Sequence, residues 1–133
     1  MAPPLWASDS GSAKIVQGDV RVERAGVSRP LQVGDLLQEK DRIVVPAGGS
    51  AGITLRDDTR ISMGPRSTLV INRFVFDPQT QEGNVDTSIL AGTMRYITGL
   101  VGRLRPSAVR VATTTTTIGI RGTDFIVEVG DAP

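Results

Sequence analysis

The chain has 133 residues, 39% of them hydrophobic, with 15 basic against 14 acidic side chains and a net charge of +1. A chain of this length forms one domain that buries about two-thirds of the surface it exposes when unfolded, and the composition excludes a disordered polymer. No apolar run approaches the roughly 20 residues a membrane helix needs, and the lack of any His or Cys excludes Ser-His-Asp and Cys-His catalysis and the usual zinc sites.

Residues 1–12 are rich in Pro, Ala, Ser and Gly and read as a flexible N-terminal arm, leaving 13–130 as the folded domain. Met1 to Trp6 lacks the basic start and apolar stretch of a signal peptide. Residues 15–17 run into a turn at Gly18-Asp19, and 20–24 alternate apolar and charged, as a half-buried strand does. Residues 25–28 read as a turn, followed by Leu31, Val33 and a second turn at Gly34-Asp35. Residues 42–45 form a strand stopped by Pro46; 51–55 and 59–63 form a hairpin around Asp57-Asp58. Gly64-Pro65 punctuates before a strand over 68–76 and a loop over 77–84. Strands are expected at 85–90 and 93–98, divided by Gly92, and then at 108–115 and 123–129. Residues 99–105 allow one helical turn or an irregular loop, since Gly99, Gly102 and Pro106 limit any helix.

Strands of four to six residues with such frequent turns predict an all-β domain of short stacked strands and hairpins. With few aromatics the core must come from Val, Ile and Leu, which favours thin β-layers. A solenoid-like stack and a two-layer sandwich both fit the pattern.

Little catalytic chemistry is left. Acid–base work would need a carboxylate pair, and Asp57 with Asp58, or Asp19 with Asp35, are better explained as turn formers. Calcium ligation by the Gly-Asp pairs lacks the D-x-D-x-D-G loop. Phosphate-binding glycine motifs are absent, as is the basic stripe with interleaved aromatics that nucleic-acid binding requires. No catalytic residue, cofactor or metal ligand is therefore assigned, and no nucleic acid is expected as a partner.

Charge is unevenly spread. Between Thr87 and Thr123 there is no carboxylate, yet Arg95, Arg103, Arg105, Arg110 and Arg121 fall there. On one face they would attract an anionic partner; on separate faces they would pair with acids from the first half. The run from Thr113 to Thr117 suits a strand and, left at an edge, would offer Thr115 and its neighbours for strand addition. Candidate partner-binding residues are thus Arg95, Arg103, Arg105, Arg110 and Thr115. Arg121, between Ile120 and Gly122, is expected to tie the last strands to an acid such as Asp19, Asp35 or Asp124.

The stretch Thr117-Ile118-Gly119-Ile120-Arg121-Gly122-Thr123-Asp124-Phe125 resembles the closing motif of FecR-type domains, a bacterial periplasmic module. Upstream, Gly18-Asp19 and Gly34-Asp35 resemble the family's paired Gly-Asp turns. The run from Leu55 through Gly64-Pro65-Arg66-Ser67 resembles its central hairpin, and Phe74 to Pro78 and Leu90 to Tyr96 also fit. The likeness covers roughly residues 14–129, departing where the family's Thr-Pro-Thr-Ala-Thr is replaced by Thr113 to Thr117. It makes Gly18, Asp19, Gly34, Asp35, Arg121, Gly122 and Thr123 the structural motif. It implies a compact β-fold, a periplasmic or exported location, and a non-enzymatic role in envelope signalling through a protein partner. The chain would be an excised domain or a stand-alone relative. A structural or anionic-glycan-binding envelope domain is the alternative, and oligomeric state is left open.

Overall fold

The computed structural model describes residues 10–114, 117–119 and 124–129. In chain order the strands are β1 (Gly11–Gln17), β2 (Arg21–Arg24), β3 (Val27–Pro30), β4 (Leu36–Leu37), β5 (Arg42–Val44), β6 (Ser50–Leu55), β7 (Arg60–Met63), β8 (Thr68–Phe76) and β9 (Gly83–Ile97). A five-residue helix, α1 (Leu100–Leu104), and a 3-10 turn (Pro106–Ala108) lead into β10 (Val109–Ala112), β11 (Thr117–Gly119) and β12 (Asp124–Val129).

The strands form one sheet in the order β3-β2-β5-β8-β9-β7-β6-β1-β4, with β10 and β12 also on β9 and β11 on β10. Neighbours are antiparallel except β9 and β10. This is the all-β domain expected, with the sheet curled on itself rather than wound into parallel coils. β1 opens at Gly11, so residues 11 and 12 of the expected arm are sheet; residues 1–9 lie outside the described part.

β9 organises the sheet. Its first half pairs with β8 and, in parallel, with β10; its second half pairs with β7 on one side and β12 on the other. The change of partners falls at Gly92, whose φ of +90° favours glycine. A Cβ at Gly92 would lie 2.5 Å from the Ser67 Cα. Ser67 braces this bend: its hydroxyl accepts the Thr93 N–H at 3.2 Å and lies 3.3 Å from the Thr93 carbonyl, which accepts the Gly64 N–H at 2.9 Å. The Gly-Pro-x-Ser segment is thus a clamp on β9. The sequence reads Gly92 as a break between two strands, whereas the chain continues through it as one.

Alternation does the rest. Ile53, Leu55, Ile61, Met63, Leu69, Ile71, Ile89, Met94 and Val111 turn inward to a single core. The Tyr96 ring stacks on Phe125 with centroids 5.1 Å apart. Burial raises the Tyr96 phenol well above its usual range, only partly offset by the Thr87 hydroxyl close by. Neither hydroxyl makes a well-formed hydrogen bond to the described residues. The segment Ala25 to Ser28, read as a turn, is shorter than that. Ala25 and Gly26 alone make it, both at positive φ, and β3 begins at Val27. All four β3 residues are exposed, so no apolar alternation marks them as a strand.

A cleft where three strands meet the 3-10 turn

The expected motif residues are placed first by backbone. Gly18 turns the chain from β1 to β2 at φ +82°, and the exposed Asp19 lies 3.5 Å from Arg21. Gly34 takes φ +93° and donates to the Ala13 carbonyl at 2.8 Å. The Asp35 carboxylate accepts the N–H of Gln32, three residues earlier, at 2.9 Å and so closes that turn from its far side. Arg121, Gly122, Thr123 and Thr115 lie outside the described residues.

Two other aspartates are fully buried. Asp41 receives both fork nitrogens of Arg24, at 2.8 and 2.7 Å, and the Gln38 N–H at 2.9 Å. That contact holds the Arg24 guanidinium above even its usual range. Asp57 is held by three backbone ties. Its carboxylate accepts the N–H groups of Thr59 and Val101, and its carbonyl accepts that of Leu100 at 2.7 Å. Both are structural.

The open polar site is elsewhere. A bulge in β8 between Ile71 and Arg73 lets Ile71 and Phe74 both reach the core and leaves Arg73 outward. The Phe74 N–H freed there donates to Glu39 at 2.9 Å, and the side chain of Asn72 donates to Ser88 at 2.6 Å. Arg73 then stands opposite Asp86 of β9, and Asp86 stands opposite Arg110 of β10. Register partners share a face, so the three form one outward row across three strands.

At one end of this row the 3-10 turn closes the wall. Pro106 at its first position fixes φ, and Arg105 before it is extended, as a residue preceding proline tends to be. The result is a cleft of about 270 Å³ bounded by Arg73, Asn84, Asp86, Ser107 and Arg110. Among the described residues no carboxylate lies within 4.0 Å of the Arg73 or Arg110 nitrogens.

The arginines of the acid-free stretch are thereby separated. Arg103 and Arg105 are exposed on and just after α1, beside the cleft's turn. Arg95 is on the second half of β9, where Asp124 of β12 holds it in a two-pronged pair at 3.0 and 2.6 Å. The Arg95 guanidinium holds the Asp124 carboxyl below its usual range. Arg73, Asn84, Asp86 and Ser107 carry no motif in the sequence. Only the β8–β9–β10 register, set by the bulge, brings them together.

Among the described residues no group of three or more carboxylates could hold a metal ion, and no helix is long and apolar enough to cross a membrane. No curated protein and no solved structure matches the chain. A family model described as FecR protein matches residues 41–133. That match takes in the β6–β7 hairpin, the Ser67 clamp, β9 and the whole cleft, while Gly18-Asp19 and Gly34-Asp35 lie upstream of it. With more than half its length matched, the chain belongs to the FecR family.

Proposed function

We propose that this domain is a non-catalytic recognition module acting in the periplasm, and that it binds a partner protein through the arginine-bearing surface around β8, β9, β10 and α1. FecR proteins are regulatory and associated with the bacterial envelope, which supports a role in signalling over one in chemistry. The observation that carries the reading is the open state of the Arg73 and Arg110 guanidinium groups, with exposed Arg103 and Arg105 on the adjoining segment. Clustered exposed arginines with no carboxylate within 4.0 Å among the described residues raise the local potential for an acidic partner.

The experiment is charge reversal at Arg103, Arg105 and Arg110 together, followed by photo-crosslinking from residue 107 in living cells. Loss of a discrete crosslinked partner, with thermal stability unchanged, supports the reading. A partner retained by the triple variant and lost on Thr115→Pro would instead favour pairing at a strand edge. Co-sedimentation with purified peptidoglycan, sensitive to the same charge reversal, would favour the anionic-glycan alternative.

A further inference from the structure

We infer that the cleft between β8, β9 and β10 is a pocket for one carboxylate of an acidic peptide segment, held by Arg73 and Arg110 on either side of Asp86. The inference rests on the partner-protein reading above and gives that surface a specific ligand chemistry.

Three properties of the cleft lead here. The first is donor geometry. Arg24 and Arg95 each spend their fork on an internal carboxylate, bidentate in both cases. Among the described residues Arg73 and Arg110 have no such carboxylate, although Asp86 lies in register with both. Two planar guanidinium groups facing one cleft fit a planar carboxylate, which accepts two parallel N–H bonds from such a fork.

The second is charge. Two guanidinium groups and the Asp86 carboxylate leave the row with a net +1, the complement of one carboxylate. A phosphate dianion would overshoot and would also face Asp86. Asp86 instead offers an acceptor to a donor beside the bound carboxylate. A backbone N–H next to an Asp or Glu side chain supplies that donor. Asn84 and Ser107 add further polar contacts at the rim.

The third is size. At about 270 Å³ the cleft is just below the roughly 300–1,000 Å³ typical of pockets that enclose a whole small ligand. It suits a side chain projecting from a larger partner.

The test is an NMR titration of the isotope-labelled domain with three probes. These are acetyl-Asp-Glu-Asp-Glu-amide, the corresponding Asn-Gln-Asn-Gln peptide, and inorganic phosphate. Saturable shifts are expected for the acidic peptide at amides 84–86 and 107–110, with none for the neutral peptide and weaker ones for phosphate. Arg73→Gln with Arg110→Gln should weaken the acidic peptide by about tenfold or more, since each charged fork contact is among the strong hydrogen bonds. Both side chains are exposed, so the remaining amide spectrum reports that the fold is kept. Asp86→Asn should raise phosphate affinity relative to the peptide, because the site then carries +2.

Shifts from the neutral peptide equal to those from the acidic one would overturn the proposal, as would undiminished binding in the double variant. The two readings separate. Peptide binding in the cleft, with partner crosslinking untouched by charge reversal, upholds the pocket and sinks the partner surface. Loss of the partner with no peptide shifts at the cleft does the opposite.

Discussion

The carboxylate of Asp57 accepts the backbone N–H of Val101, which lies 44 residues further along the chain. Asp57 lies in the turn of the β6–β7 hairpin, and Val101 is in the first turn of α1, where helical N–H groups have no partner of their own. One buried side chain therefore closes a hairpin and anchors the segment that leads into the cleft. Asp57→Ala would strand the Thr59 and Val101 donors, and unmade buried hydrogen bonds cost about 1–3 kcal/mol. Urea denaturation should show the midpoint falling with an unchanged slope, and Asp57→Asn should recover part of the loss because one acceptor oxygen remains.

Arg24→Ala should be more damaging than its partial exposure suggests. It removes the two-pronged cation from the fully buried Asp41 and leaves it the Gln38 N–H. Breaking a buried pair from one side costs about 3–5 kcal/mol. A loss nearer 2–3 kcal/mol is expected here, since a third of the Arg24 side chain meets solvent and screens the pair. The Arg24→Ala, Asp41→Asn double variant should be less destabilised than the sum of its parts. An additive double-mutant cycle would refute the coupling.

Gly92→Ala tests the bend in β9. The substitution forces an L side chain into φ +90° and against the Ser67 backbone, which cannot move without releasing Thr93. A loss of about 2 kcal/mol or more is expected in calorimetry, exceeding that of Ser67→Ala, which gives up hydrogen bonds worth about 1 kcal/mol each. Equal effects would mean that the clamp, and not the backbone angle, fixes the bend.

The Arg95–Asp124 pair gives a pH signature. Arg95 holds the folded Asp124 carboxyl below its usual range, so the pair's contribution is present above the ordinary carboxylate value of about 4 and is lost as pH falls through the lowered folded value. Both groups are exposed, so the effect on stability is small and the titration itself is the measurement. In Arg95→Gln the Asp124 carboxyl resonance should titrate at higher pH than in the parent. An unmoved midpoint would show that the pair is not formed in solution.

Much of this fold is readable from the residues, and the exceptions share a cause. The β6–β7 hairpin, β5, β8 and β12 follow from alternation and turn chemistry, and the single helical turn after Gly99 fits the space allowed by Gly102 and Pro106. β3 escapes detection because an edge strand with every residue exposed has no inward set to alternate. β9 reads as two strands because Gly92, a breaker in isolation, is held in place by Ser67 from 25 residues upstream. The Arg24–Asp41 pair and the Asp57–Val101 tie are set by distant partners in the same way. For the site, the acid-free arginine stretch is legible, but its division is not. Arg95 meets an acid just beyond that stretch, while Arg110 gains Asp86 as a neighbour through the parallel β9–β10 register, and Arg73 joins them past a bulge in β8 that no local pattern announces.

The sharing of β9 also governs the order in which the domain is made. As the chain emerges from the N-terminus, β7 and β8 are complete before residue 83 exists, and each lacks the strand that will flank it. Both remain open edges until residues 83–97 follow, when the two halves of the sheet can close together. No half-sized folding intermediate with a sealed sheet is therefore available. Acquisition of structure should be a single late event dominated by distant pairings, slow on the millisecond-to-second scale of such topologies. Until then the unpaired strands are the part of the molecule most in need of shielding from one another.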